Sequence, residues 1–286
     1  MILVTGATGT TGRHVVKQLS AKGEQVRALV RDSQKANWLA GPNIEVIEGN
    51  FDDLVSLESA LTGVDRAYLL TPTSPNRVIQ EANFLKAARR TKLERIVRLS
   101  ILGAEIDSPS QLLRRHGQAD KQLRNSGITF TILKPSYFMQ NLFWYAEPIK
   151  KQGVFHASLP ATTKHAHIDA RDIAAVAVSA LTESGHENQV YRITGPEALS
   201  YDEMMSILSG LLDKPLRYDP SPQHYAKSLE GWGLDIDEVL ELDRVIAQGF
   251  GDGEKVTNTV TAVTGKEPFN FEQFARDHLS RFQDHQ

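Results

Sequence analysis

A chain of 286 residues, 41% hydrophobic and 23% charged, has enough apolar side chain for a full core and reads as ordinary globular protein. Its formal net charge of −3 and pI near 6.3 offer no general attraction to nucleic acid or anionic lipid, and the absence of cysteine excludes disulfides, thiolate metal sites and a cysteine nucleophile. No stretch approaches the roughly 18 apolar residues of a membrane span, and Met1-Ile2-Leu3-Val4 lacks the basic start and long apolar run of a secretion signal. A cytoplasmic protein with no membrane or nucleic-acid partner is the expectation.

In chain order, Ile2–Val4 is a short apolar run that stops at Thr5-Gly6, as a buried parallel strand does. Val15, Val16 and Leu19 then share one helical face, which Gly23 can close. The cycle repeats: strand Gln25–Val30, strand Ile44–Ile47, helix Leu54–Leu61 ended by Gly63, strand Arg66–Leu70, helix Arg77–Arg90, strand Arg95–Leu99, helix Gln111–Arg124 and strand Thr129–Leu133. Strands alternating with helices imply a parallel sheet with right-handed crossovers.

After Pro135 the rhythm changes. The pattern predicts a helix over Tyr137–Tyr145 that meets Pro148, a short strand at Gly153–Phe155, a strand at His165–Ile168 and a helix over Ile173–Leu181. Strand Val190–Thr194 leads to a helix after Ser200, where Ser200-Tyr201-Asp202-Glu203 has the form of a capping box. The tail from Ser221 reads as mostly helical, broken at Gly231, Gly249-Phe250-Gly251 and Pro268. The expected architecture is α/β: a Rossmann-type doubly wound parallel sheet with a smaller, mostly helical C-terminal lobe. Residues 1–150 would form the nucleotide domain, with 165–195 returning to it, and 151–286 an interleaved substrate or partner lobe.

Gly6-Ala7-Thr8-Gly9-Thr10-Thr11-Gly12 joins the first strand to the first helix. Gly6 permits a tight exit, Gly9 lets backbone N–H groups approach a pyrophosphate, and Gly12 allows close packing of helix on sheet. A glycine-rich turn without ligand is the weaker reading in that strand–turn–helix context. At the end of the second strand stands Arg31, suited to a 2′-phosphate, with Asp32 next to it as an alternative partner for a ribose hydroxyl. NADP(H) is therefore favoured over NAD(H).

Thr5–Gly12, Gly49-Asn50-Phe51-Asp52, Leu133-Lys134-Pro135-Ser136-Tyr137-Phe138-Met139-Gln140-Asn141, His167-Ile168-Asp169-Ala170-Arg171-Asp172 and Gly195-Pro196 together resemble the NmrA-like branch of atypical short-chain dehydrogenases, over essentially the whole chain. The resemblance implies that Asp52 lies near the adenine, and that Thr71, Pro72 and Thr73 pass beneath the pyrophosphate and nicotinamide ribose. It also implies that Pro135, Ser136 and Tyr137 flank the nicotinamide. Tyr137, Phe138, Asn141 and Trp144 would look into the substrate cleft; at helical spacing, core packing is the competing reading of these side chains.

Ketone-reducing members of the superfamily use Tyr-x-x-x-Lys, and none of the seven tyrosines here has lysine four residues on. The corresponding stretch reads His116-Gly117-Gln118-Ala119-Asp120-Lys121, which leaves His116 as a candidate proton donor beside Tyr137. This loss argues against epimerisation and alcohol dehydrogenation. It suits acceptors that need little acid: quinones, conjugated acceptors, cationic triphenylmethane dyes and iminium ions. The resemblance implies direct hydride transfer to such a small molecule without flavin or metal. A second reading is an NADP(H) sensor that docks a protein, and homodimerisation is compatible with either.

His165-x-His167-x-Asp169 has a spacing a metal could use, but Asp169 or Asp172 suits the cap of the next helix better, so no metal site is expected. The basic run of Arg89, Arg90, Lys92 and Arg95 suits a helix C-terminus rather than nucleic acid.

Overall fold

The structure, a computed structural model, describes residues 1–230 and 235–283. Its first part alternates strand and helix: β1 (Ile2–Val4), α1 (Gly12–Ala21), β2 (Val26–Val30), β3 (Ile44–Glu48), α2 (Leu54–Leu61), β4 (Arg66–Leu69), α3 (Arg77–Arg90), β5 (Arg95–Leu99), α4 (Gln111–Arg124) and β6 (Thr129–Pro135). There follow α5 (Ala146–Gln152), β7 (Val154–His156), α6 (Ala170–Thr182), β8 (Gln189–Ile193), α7 (Tyr201–Leu212) and β9 (Arg217–Asp219). Helices α8 (Pro222–Ser228), α9 (Ile236–Ala247), α10 (Thr259–Thr264) and α11 (Phe271–Asp277) complete the chain.

Seven strands form one parallel sheet in the order β3-β2-β1-β4-β5-β6-β8. This is the doubly wound Rossmann arrangement, and the order reverses between β1 and β4, where ligands bind in such sheets. Side chains alternate between the faces, as a pleated strand requires. Ile2, Val4, Tyr68 and Leu133 pack on one face with α1 and α6, whereas Leu3, Leu69 and Ile132 pack on the other with α2, α3 and α4. A third apolar cluster joins Met139, Leu142, Phe155, Met204, Leu208 and Phe274, drawn from segments that follow the sixth strand.

Three local expectations need correction. Residues Tyr137 and Phe138 are not helical: their backbone extends β6, Ile168 N–H donates to Tyr137 O, and Met139 N–H donates to Ile168 O. Those bonds compete with helical ones, so only Met139–Tyr145 coils, as a 3₁₀ turn. Pro148 does not stop the chain, because it falls in the first turn of α5, where no backbone N–H is needed. His165–Ile168 is not a sheet strand but a strap, held by isolated bridges to Leu199 and Phe138. Strand β9, which sequence periodicity does not reveal in three residues, pairs in parallel with β7. The capping box at Ser200 is present with both of its hydrogen bonds. In the tail, Gly249 and Gly251 take positive φ after α9, and the break expected at Gly231 lies outside the described residues.

Candidate functional site

The turn after β1 is built by its glycines. Gly6 has φ +61°, and a Cβ on Gly12 would stand 2.1 Å from Gly6 O, so α1 can approach the strand end only without a side chain there. Gly9 N–H closes the turn on Gly6 O at 2.9 Å. Gly6, Thr8 and Gly9 line a groove across the strand ends together with Arg31, Asp52, Thr71, Pro72 and Thr73. Thr11 does not belong to it: its side chain is buried, and its Oγ1 accepts from the Tyr68 hydroxyl at 3.1 Å. Gly12 is likewise buried in the packing, and Thr10 is exposed beside the groove rather than in its lining. A turn that a Cβ would fill, opening on a groove at the switch point, fits a dinucleotide.

At the far end of the groove Arg31 is exposed and directed by no ion pair among those of the described residues. Asp32 is occupied: its Oδ1 accepts from Gln34 and Lys35 N–H, its Oδ2 pairs with Lys35 at 3.3 Å, and these contacts hold its carboxyl below the usual range. Asp52 accepts from the Gln80 amide through both oxygens at 3.2 Å.

Beneath the groove lies a charge network that sequence reading missed. Arg98, on the central strand β5, is 0% exposed and grips Glu81 through two nitrogens at 2.5 and 2.8 Å. Its third nitrogen donates to Asp120 at 2.6 Å, and Ser100 Oγ donates to the other Asp120 oxygen at 2.9 Å. Thr71 joins the network, accepting from Arg77 and donating to Glu81. The signal available was a single arginine inside the apolar run Ile96-Val97-Arg98-Leu99. Asp120 thus serves an internal ion pair. Removing one partner of such a group would strand a buried charge.

The structure places His116 away from the cleft that holds Tyr137. It is 5% exposed and absent from the lining of the cleft. Burial and the charges of Arg77, Arg98, Arg115 and Lys134 push its pKa well below the ordinary value. Lys121 faces a separate depression on the outer surface.

The groove runs through Thr73 into a largely apolar cleft. Pro135, Ser136, Tyr137, Phe138 and Asn141 form its floor, Trp144 and Tyr145 one wall, and Leu242 and Ile246 of α9 with Phe250 its cover. The cleft therefore brings together Tyr137, Phe138, Asn141 and Trp144. Ser136 Oγ is buried at its edge without a hydrogen-bond partner. His165 and His167 flank the Tyr137 ring at 5.1 and 6.2 Å between centroids, and burial lowers their pKa values to about 4 and about 3. Asp169 turns away from both to cap α6, and its oxygens accept from Gln140 and Arg171, so the three do not share a ligand point.

The residue of most chemical interest here was also not foreseen. Asp243 of α9, 4% exposed, lines the cleft. Tyr137 Oη donates to its Oδ1 at 2.8 Å, and Ser158 Oγ lies 2.5 Å from its Oδ2. Burial raises its pKa above the usual carboxylate range, and the hydroxyls of Ser158, Tyr137 and Tyr225 offset this only in part. No cation is among the groups that bring it down again.

A family model described as NAD(P)H-binding matches residues 6–184. The NAD(P)H azoreductase of Xenophilus azovorans is 39% identical over 286 residues, covering 99% of each chain. The NADPH-dependent quinone oxidoreductase of Escherichia coli, solved in complex with NADPH, superimposes with a TM-score of 0.84 at 28% identity, covering 98% of this chain and 100% of that one. The triphenylmethane reductase of Citrobacter sp., complexed with NADP(H), gives a TM-score of 0.82 at 25% identity over 97% of this chain and 99% of that one.

Proposed function

The chain belongs to the NAD(P)H-binding family, as an NmrA-like atypical short-chain dehydrogenase and an NAD(P)H-dependent oxidoreductase, and from that premise we propose that it reduces conjugated small molecules with NADPH. The acceptors are planar and electron-poor: azo compounds, quinones and cationic dyes. The observation that carries this reading is the apolar cleft continuous with the cofactor groove, lined by a buried carboxyl whose pKa is raised by that burial, in a chain with no ketone-reducing Tyr–Lys pair.

NADP(H) preference rests on Arg31, free to meet a 2′-phosphate, while Asp32 is tied into its own turn. Gly6, Thr8 and Gly9 would cradle the pyrophosphate, with Thr71, Pro72 and Thr73 along its other side and Asp52 toward the adenine. Pro135, Ser136 and Tyr137 would hold the nicotinamide end, where the unpartnered Ser136 hydroxyl suits a carboxamide. When bound, NADPH supplies a hydride from nicotinamide C4.

The chain's own residues then exclude water and deliver a proton. Leu242, Ile246 and Phe250 close the cleft over a flat acceptor. As an azo nitrogen or quinone carbon system accepts the hydride, negative charge develops on the remote nitrogen or oxygen. A proton reaches that atom from the Tyr137–Asp243 pair, whose hydroxyl and carboxyl share a 2.8 Å hydrogen bond and can pass the proton between them once the hydroxyl turns toward the acceptor. One hydride and one proton convert an azo group to a hydrazo group, or a quinone to a hydroquinone. A triphenylmethane cation needs the hydride alone.

The test is NADPH oxidation by purified protein with an azo dye, a naphthoquinone and a cationic triphenylmethane dye, alongside titrations of NADPH and NADH. Turnover with one of these acceptors is expected. Tight NADPH binding with no turnover on the panel would overturn the reductase reading in favour of a cofactor sensor. In the same assay Arg31→Asp should weaken NADPH binding more than NADH binding; equal losses would sink the phosphate assignment.

A further inference from the structure

Away from the cleft mouth, three chemistry-bearing side chains meet on the C-terminal lobe. His156 ends β7 and Asp219 ends β9, and the two are direct partners in the parallel register of that small sheet. His224 lies one turn into α8, which follows β9 after a two-residue link. Asp219 Oδ2 is 3.1 Å from His156 Nδ1 and 2.6 Å from His224 Nδ1, and the three candidate ligand atoms all lie within 4.8 Å of one another.

We propose that His156, Asp219 and His224 form a site for a divalent d-block cation, with Zn²⁺ as the chemically best match. Two imidazole nitrogens and one carboxylate oxygen are the donor set that borderline metals favour over Mg²⁺ or Ca²⁺. Around zinc, ligand atoms at about 2.0–2.2 Å from the ion fall about 3.3–3.5 Å apart. The cluster needs to open by only a few tenths of an ångström to about 1 Å to admit the ion. Three protein ligands leave a fourth position, which solvent reaches past the exposed His224.

The donors are oriented rather than loose. Asp219 Oδ1 accepts from Ser221 N–H at 3.1 Å, which leaves Oδ2 facing the two rings. Ser221 also caps α8 by accepting from His224 N–H at 3.3 Å, with Pro222 stiffening the first turn. His156 and Asp219 are mostly covered, at 13% and 17% exposure, so two of the three ligands are already held before a cation arrives. Outer hydrogen bonds of this kind orient metal ligands. In the empty protein, one carboxylate oxygen serves two imidazoles, an arrangement that a cation would complete.

The location gives the site a consequence. Phe155, next to His156, and Tyr225, next to His224, both line the substrate cleft. A cation would clamp α8 to the β7–β9 pair directly behind that wall. It would act as a structural brace and take no part in hydride transfer.

The experiment uses untagged full-length protein stripped with EDTA, titrated calorimetrically with Zn²⁺ and with Mg²⁺, with thermal unfolding measured in parallel. One saturable Zn²⁺ equivalent, a higher Tm with Zn²⁺ and no response to Mg²⁺ are expected. His224→Ala, at an exposed position that leaves the core intact, should weaken binding by at least about tenfold, as should Asp219→Asn. Absence of saturable binding, or binding that His224→Ala leaves unchanged, overturns the proposal. The latter result would move the zinc to other histidines, such as the buried His165 and His167. These readouts need no acceptor, so they stand apart from the outcome of the reductase assay.

Discussion

Single residues decide what the cleft can do with a proton. Asp243 is buried with no cation among the groups that shift it, the hydroxyls of Tyr137 and Ser158 bond to it, and Tyr145, Tyr201 and Tyr225 line the same cleft. If its protonated form feeds Tyr137, turnover on an azo dye falls as pH rises through its raised pKa, and Asp243→Asn removes that limb of the pH profile. The acceptors should separate in order of the basicity created by hydride addition. Tyr137→Phe and Asp243→Asn should each slow azo reduction by about 10²-fold, quinone reduction less, and the cationic dye little. A uniform loss on all three would instead mean that these residues shape the cleft. His116 shows how much burial adds to residue type: its place in the sequence is suggestive, and burial among arginines pushes its pKa well below the ordinary value.

At the scale of elements, packing against neighbours gives the same residue type opposite roles. Gly117 and Gly210 both sit inside helices and look alike in sequence. A Cβ on Gly117 would lie 2.4 Å from the Glu105 carbonyl carbon, whereas nothing stands within 4 Å of one on Gly210. Gly117→Ala should therefore lower Tm, at a cost of about 1–3 kcal/mol from overpacking. Gly210→Ala should raise it, worth about 0.5–1 kcal/mol from helix propensity. Thermal denaturation of the two variants reads both, and a rise in each would refute the contact between α4 and the 101–106 loop. The segment 137–145 illustrates the same competition. Its helical spacing is real, but Ile168 of the strap takes the backbone hydrogen bonds of Tyr137 O and Met139 N–H, and the side chains of Tyr137 and Phe138 line the cleft.

For the molecule as a whole, buried ionisable groups set how stability varies with pH. Asp172 on α6 accepts from Phe269 N–H at 2.9 Å, and burial raises its pKa to about 7. A carboxyl whose folded pKa exceeds its unfolded one contributes stability that is full below about pH 4 and is lost as pH rises to about 7. Asp172→Asn should remove that loss, so its stability relative to the parent improves between pH 4.5 and pH 8. At about 1.4 kcal/mol per unit the gain is on the order of 3 kcal/mol. Urea denaturation at the two pH values measures it, and an equal difference at both would refute the assignment. The buried histidines act in the other direction: His116, His165 and His167 have lowered pKa values, so their contribution is present above about 6.5 and lost as pH falls. Among the described residues no helix is long and apolar enough to cross a membrane.

Features that depend on local pattern can be read from the order of residues alone. Period-two and helical spacing fixed the order of strands and helices through β6, because each buries one face of its own. The glycine turn is legible because a tight strand–helix junction places strict local demands on the backbone, and the groove it opens on is the one Arg31 lines. Groups joined across long sequence separations emerge only once the chain is folded. Asp243 reaches Tyr137 over 106 residues, Arg98 is paired by Glu81 and Asp120 from two different helices, and His156 meets Asp219 through a three-residue strand pairing. Their chemistry arises from burial and from partners, and neither is encoded in the spacing of neighbouring residues.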